Sequence, residues 1–251
     1  MRLPRIFTDQ ALSKGLELAL ESNAARHLVS ALRFKAGDKL ILFNGEGGEY
    51  SAELLAAESK KARVLVGKFS DGLAPSPLAI TLGIGLSRGE RMDWLVQKAV
   101  ELGVTEITPL FTERSEVKLK APRAAKKTRH WQDIAHSACE QSGQNILPTI
   151  NLPIDLPTFV QNINEASANT QFILDPLAEQ TLVTRIRTHR ELVPTSVMLM
   201  SGPEGGFSPS EIGSAQHQGI LSVSLGPRIL RTETAPLAAL SLLQAQWGDW
   251  Q

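Results

Sequence analysis

Hydrophobic and polar positions fall into two regimes along the chain. Up to about residue 70, short apolar segments alternate with turn residues. Lys39 to Phe43, Glu49 to Leu54 and Ala62 to Phe69 read as strands, with Gly37-Asp38 and Asn44-Gly45 between them as turns. Ala24 to Phe34 reads as one short helix. The run Ser70-Asp71-Gly72-Leu73-Ala74-Pro75-Ser76-Pro77 is punctuated by Gly and Pro and carries no periodicity, so it marks a boundary. Beyond it, Leu78 to Leu86 is an apolar strand. Met92, Leu95, Val96, Ala99 and Val100 then recur at helical spacing within Glu90 to Gly103, and Gly103 stands where a helix C-terminal glycine belongs.

The same alternation continues to the end of the chain. Strands are expected at Glu106 to Thr112, Phe172 to Leu174, Val197 to Ser201 and Leu221 to Leu225. Helices are expected at Lys126 to Gly143, Thr181 to Leu192 and Pro236 to Trp247. Ser208-Pro209-Ser210-Glu211 has the form of a capping box with proline at the first helical position. A small β-rich domain, a barrel, fits residues 1–72, with a linker at 73–77. Residues 78–251 fit an α/β domain built on a parallel sheet covered on both faces. The last helix is apolar nearly all round, so it is either buried or half of a subunit interface.

Composition narrows the classes. Of 251 residues, 26 are Lys or Arg and 26 are Asp or Glu, which excludes a uniformly basic coating protein. The charges are uneven, however. Arg114, Lys118, Lys120, Arg123, Lys126, Lys127 and Arg129 share one stretch with only Glu116 opposing them. Such a stretch is either a solvated loop and helix start or a surface for phosphates. A single cysteine, Cys139, excludes an intramolecular disulfide framework and a multi-cysteine metal site. No apolar run reaches the roughly 20 residues of a membrane span, and Met1-Arg2-Leu3-Pro4-Arg5 lacks the apolar run of a secretory leader. A cytoplasmic protein without membrane or metal is expected.

Chemistry concentrates in two loops that leave strands of the second domain. One is Ser201-Gly202-Pro203-Glu204-Gly205-Gly206-Phe207; the other runs from Leu225-Gly226 through Arg228, Ile229, Leu230, Arg231, Thr232 and Glu233 to Thr234 and Ala235. Glycines let backbone amides approach a ligand closely, and ligands of open α/β sheets bind outside the carboxyl ends of strands. Neither a Gly-x-x-x-x-Gly-Lys-Ser/Thr loop nor a Gly-x-Gly-x-x-Gly after the first strand occurs, which disfavours nucleoside triphosphatases and dinucleotide enzymes. No Gly-x-Ser-x-Gly elbow occurs either. His136 and Cys139 lie one helical turn apart and read as a packed helix face.

With these loops in hand, the chain resembles the bacterial 16S rRNA uridine-N3 methyltransferases of the SPOUT superfamily. The resemblance rests on Gly202-Pro203-Glu204-Gly205-Gly206 and on Leu225-Gly226-x-Arg228-Ile229-Leu230-Arg231-x-Glu233-Thr234-Ala235. It extends to Arg26-His27-Leu28, Leu32-Arg33 and Gly37-Asp38, to Lys98 through Val104 with Ile107 and Pro109, and to Glu140-Gln141-Ser142-Gly143 with Pro148. It implies an N-terminal PUA-like β-barrel that helps hold RNA and a C-terminal SPOUT α/β domain with a deep trefoil knot. S-adenosyl-L-methionine is expected in the knot against the two loops, in a homodimer acting on 16S rRNA of the small ribosomal subunit. Gln144 and Ile146 stand where family members often carry arginines, and Gly85 to Glu90 differs from the family's lysine-rich stretch.

The implied reaction moves a methyl group from a sulfonium to N3 of a uridine. The enzyme must cradle the cofactor, align the acceptor and favour loss of the N3 proton. Arg231 is the expected stabiliser of the uracil anion, and Glu233 is either a base or the group that orients Arg231. The expected cradle comprises Gly202, Pro203, Glu204, Gly205, Gly206, Leu225, Gly226, Ile229, Leu230, Arg231, Thr234 and Ala235. Leu174 and Met200 serve either as its apolar wall or as strand-end core. Arg2, Arg5, Arg26, Arg33, Arg88, Arg114, Lys118, Lys120 and Arg123 are the expected RNA contacts, in one groove across both domains. The competing readings are a ribose 2′-O-methyltransferase of the same fold, a non-catalytic ribosome-assembly factor, and an unrelated small-molecule α/β enzyme.

Overall fold

The computed structural model describes residues 3–58, 61–165, 170–188 and 193–250. The chain divides into two compact units, residues 1–75 with 136–147 and residues 76–135 with 148–251. A division at a single linker does not foresee the return of 136–147 to the first unit.

The first unit carries a five-stranded sheet. Its strands are β1 (Arg5–Phe7), β2 (Glu17–Ala19), β3 (Lys39–Phe43), β4 (Glu49–Glu58) and β5 (Lys61–Ser70), in the order β1-β3-β4-β5-β2. Only the β1–β3 pairing is parallel. Alternate positions of each strand point inward, so Leu40 and Leu42, Ala52 and Leu54, and Val64 and Val66 build one core with Ile6, Ala25 and Leu28. The expected helix at Ala24 to Phe34 is shorter and composite. It is α1 (Ser22–Arg26) followed by one π-helical turn over His27–Ala31, after which Arg33 adopts a φ of +58°.

Residues 136–147 complete this unit with polar contacts. The guanidinium of Arg5 pairs with Glu49, donates to Asn145 Oδ1 at 2.6 Å and to the Gln144 carbonyl at 3.1 Å, and lies 4.7 Å from the Phe43 ring centroid. Glu140 accepts the Phe7 amide at 2.9 Å, and His136 stacks on Phe7 at 4.2 Å. His136 and Cys139 are therefore a packed face; burial pushes the Cys139 thiol up to about 12.

The second unit is an all-parallel sheet. Its strands are β6 (Ala79–Gly85), β7 (Glu106–Phe111), β8 (Thr149–Ile150), β9 (Ile154–Asp155), β10 (Thr170–Leu174), β11 (Ser196–Ser201) and β12 (Leu221–Val223). The order is β12-β10-β11-β6-β7-β8, and β9 pairs with β7 beyond β8. The helices are α2 (Glu90–Glu101), α3 (Ala121–Ser142), α4 (Leu156–Glu165), α5 (Leu182–Thr188), α6 (Pro209–His217) and α7 (Thr234–Trp247). The basic stretch resolves into a loop up to Lys120 and the opening turns of α3, five residues before the helix expected at Lys126. Of the helix expected at Thr181 to Leu192, residues 189–192 lie outside the described residues.

Two helix ends show how side chains set this frame. Ser208 caps α6 by accepting the Glu211 amide at 3.2 Å, while the Glu211 carboxylate accepts the Ser208 amide at 2.8 Å. Gln244 of α7 is fully buried and closes α2 from outside. It donates to the Leu102 and Gly103 carbonyls at 3.0 and 3.4 Å and accepts from Ser76 at 3.0 Å. Gly103, at φ +79°, leaves no room there for a Cβ, which would lie 2.5 Å from Gln244 Nε2. Among the described residues no helix is long and apolar enough to cross a membrane.

Glu140 carries a testable consequence. Burial raises its carboxyl above the usual 4.5, against the opposing pull of the Phe7 amide, His27 and Arg5. Its ionisation therefore opposes folding: the penalty is absent below 4.5 and grows as pH rises through the folded-state value. Glu140→Gln keeps an acceptor for Phe7 and removes the charge. In melting curves across pH it should match the wild type below 4.5 and melt higher near neutrality.

Candidate functional site

The carboxyl ends of all strands of the parallel sheet lie along one edge. β6 and β11 are paired side by side, Ser201 opposite Ile84. The chain leaves β6 toward β7 and leaves β11 toward β12, in opposite directions along the sheet. Such a reversal of strand order opens a crevice where α/β proteins bind ligands. Both glycine loops begin at this edge.

The first loop is held tightly against its surroundings. A Cβ on Gly85 would overlap Pro203, so β6 and the loop touch backbone to backbone. A Cβ on Gly202 would lie 2.8 Å from the Gly206 carbonyl carbon and 2.9 Å from the Phe207 nitrogen. Gly206 has φ +67°, and its amide donates to the Pro203 carbonyl at 2.8 Å, closing the turn. Glu204 accepts from the Arg88 amide at 3.2 Å and from Arg91 at 2.9 Å. Arg114 donates to the Gly205 and Phe207 carbonyls at 2.9 and 3.1 Å. From the second loop, the Thr232 hydroxyl donates to the Gly202 carbonyl at 2.7 Å and joins the two loops.

The second loop is open by contrast. Gly226 has φ +100°, and Ile229 is 87% exposed. Leu225 and Leu230 are half-buried and Arg231 is exposed. Among the described residues, the backbone from Gly226 to Leu230 finds no hydrogen-bond partner. The exposed amides and carbonyls of this stretch are thus not committed to other backbone groups and are accessible from outside. Glu233 heads α7, and its Oε2 is buried without a partner. The Thr234 and Ala235 amides already bond the Arg231 carbonyl at 2.9 and 3.1 Å, so only their side chains remain for a ligand.

The structure therefore gathers Gly202, Pro203, Glu204, Gly205, Gly206, Leu225, Gly226, Ile229, Leu230, Arg231 and Glu233 on one edge of one sheet. Two expectations change. Met200 is fully buried and packs with Met198, Ile173 and Phe207, so its side chain is core; Leu174, 8% exposed, follows Ile173 and faces the other side of the sheet. Arg5 is not an RNA contact, because its guanidinium is spent on Glu49, Asn145 and Gln144. Arg26, Arg33, Lys118, Lys120 and Arg123 are exposed; Arg88 is exposed and pairs with Glu116 at 2.7 Å; Arg2 lies outside the described residues.

Sequence reasoning missed Arg91 and Asp175, and it gave Thr232 no bond to the first loop. Asp175 accepts the Leu177 amide at 2.9 Å and the Ser222 hydroxyl at 3.2 Å, and so orders the loop after β10. The only signal for it was an aspartate at the end of a strand on the ligand edge.

An RNA methyltransferase domain family matches residues 74–244, and an RNA methyltransferase PUA domain family matches residues 20–66. The chain belongs to this RNA methyltransferase family. A protein of Buchnera aphidicola subsp. Schizaphis graminum named ribosomal RNA small subunit methyltransferase E is 36% identical over 99% of this chain and 98% of its own length. The Bacillus subtilis protein of the same name is 30% identical over 95% and 94%. Among solved structures, a putative methyltransferase of Legionella pneumophila with bound cofactor SAM is 40% identical. It covers 99% of this chain and 100% of its own at a TM-score of 0.92. A ribosomal RNA small subunit methyltransferase E of Neisseria gonorrhoeae bound to S-adenosyl methionine is 36% identical over all of both chains, with a TM-score of 0.88.

Gly202→Ala tests the packing of the first loop. The added methyl meets the backbone of the Gly206–Phe207 peptide, so the variant should lose about 1–3 kcal/mol of stability. Denaturant unfolding measures the loss, and amide exchange should speed up at residues 202–208.

Proposed function

We propose that the protein transfers the methyl group of S-adenosyl-L-methionine to N3 of a uridine in 16S rRNA of the small ribosomal subunit. The observation that carries this reading is the junction of the two glycine loops. It presents unpaired backbone at Gly226 to Leu230, an exposed Arg231 and a buried, unpartnered Glu233 oxygen on the ligand edge of the sheet. Full-length similarity to proteins named for small-subunit rRNA methylation, and to two structures with the cofactor bound, supports it.

The cofactor fits the residues present: an orphaned carboxylate oxygen and an unpaired backbone stretch are what a polar ligand of that size satisfies. When bound, it supplies a methyl group already activated on sulfonium. Gly202, Pro203, Glu204, Gly205, Gly206, Leu225, Gly226, Ile229 and Leu230 form the cradle, with Leu174, Thr234 and Ala235 beside it. Arg231 places positive charge where the uracil oxygens gather negative charge as N3 loses its proton. Glu233 orients Arg231 or takes that proton. The trefoil knot belongs to the same reading. The chain leaves edge strand β12, bonds back to Gly202 through Thr232, and packs α7 against α2, α5 and β11.

The unit of residues 1–75 with 136–147 serves to hold RNA and the unit of residues 76–135 with 148–251 to transfer the methyl group, in a cytoplasmic homodimer. Arg26, Arg33, Lys118, Lys120 and Arg123 are the exposed cations that would meet RNA. The dimer face is α7: Leu237, Ala238, Ser241, Leu242 and Ala245 form a mostly apolar stripe left partly exposed, while Leu240, Leu243 and Trp247 are buried on the other side.

The test is a methylation assay with labelled cofactor and small subunits lacking the modification, followed by nucleoside analysis. Label is expected in 3-methyluridine; label in a ribose-methylated nucleoside would move the acceptor to a 2′-oxygen. Arg231→Ala should cut turnover about 100-fold or more, on the scale of a lost oxyanion donor, with cofactor affinity retained in calorimetry. Leu242→Glu should convert the dimer to monomer in light scattering; an unchanged mass would remove α7 as the interface.

A further inference from the structure

Arg114 was expected to touch RNA, and its bonds assign it a different task. We infer that Arg114 is a positioning residue that holds the first glycine loop in its cofactor-ready form. The inference rests on the reading of that loop as part of the cradle.

The arginine stands on a fixed base. After β7 the chain makes a tight turn in which the Ser115 amide donates to the Thr112 carbonyl at 3.1 Å, and the Thr112 and Ser115 hydroxyls lie 2.9 Å apart. Its neighbour Glu113 is bound twice to α6. Its amide donates to Glu211 at 2.9 Å, and its carboxylate accepts the Ser210 hydroxyl at 2.9 Å. Hydrogen bonds from Ser208 and Ser210 lower the Glu113 carboxyl below its usual range. Glu211, whose carboxylate helps cap α6, thus also anchors the turn that carries Arg114.

From this base one nitrogen, Nη1, reaches two carbonyls, Gly205 and Phe207. They flank Gly206, the residue at φ +67°. A glycine there has wide conformational freedom, and an unclamped loop would sample many states. Holding the peptide that precedes Gly206 and the one that follows Phe207 restricts that freedom before a ligand arrives, which is how preorganisation raises affinity. Arg91, on Glu204, and Thr232, on Gly202, hold the same loop at other points. A guanidinium turned onto neutral carbonyls makes no phosphate contact through those donors.

The experiment uses the full chain as wild type, Arg114→Ala and Arg114→Lys. Three quantities are measured: S-adenosylmethionine affinity by calorimetry with KM and kcat for the cofactor, amide exchange at residues 202–208 without cofactor, and the salt dependence of binding to small subunits. Arg114→Ala should weaken the cofactor about tenfold or more and raise KM in step, with kcat at saturation within about threefold. Exchange at 202–208 should quicken, the salt slope should hold, and Arg114→Lys should recover much of the affinity. Unchanged cofactor affinity and exchange, with a salt slope shallower by about one, would make Arg114 a phosphate contact and overturn the inference. Failure of the wild type to bind cofactor would overturn the cradle reading instead, and exchange would then decide the role of Arg114 alone.

Discussion

The parallel pairing of β6 with β11 is the constraint on which the second unit depends. Ala79 to Ile84 run in register with Ser196 to Ser201, although more than a hundred residues separate them in the chain. The pairing puts the strand that opens the unit beside one of the last to join it. It also brings Gly85 under Pro203 so closely that a Cβ on Gly85 would overlap the proline. Everything that makes the edge a site follows: reversed strand order, a glycine turn pressed against the end of β6, and a second loop that returns through Thr232 to the first.

Charge in this protein works locally. A chain with equal numbers of acidic and basic residues still places arginines 88, 91 and 114 around one loop. Their partners are carbonyls and two glutamates, Glu204 and Glu116. Exposed pairs of this kind contribute little stability; their effect is to choose among conformations of a loop that sequence alone leaves free. In the first unit Arg5 does similar work with far less water around it, because its partners come from two strands and from the segment after α3.

Much of this was legible in the chain. β3, β6 and α2 announce themselves by period, and the Ser208 box caps a helix where its spelling says it should. The two glycine loops were legible because glycines after strands have few other uses. Short pieces were not: β1 and β2 have three residues each, β8 and β9 two, and such runs form only because a neighbouring strand offers a ladder. Met200 was left open between cofactor wall and core because alternation decides which way a strand residue faces, and the phase is set by partners. The partners of Arg5 and Arg114 were hidden for a common reason. A cation's partner can lie 140 or 91 positions away, and composition registers only that the cation exists.

The fully buried Gln244 also bears on how the molecule is made. Its amide closes the end of α2, a helix written about 140 residues earlier. On a ribosome, α2 and β6 emerge long before the glutamine that caps one and the strand that flanks the other. Synthesis at about 5–20 residues per second leaves that interval lasting many seconds. Over that time β6 presents an open edge on its β11 side. The sheet and the cap on α2 are thus completed only once β11 and α7 have followed, however early their first parts appear.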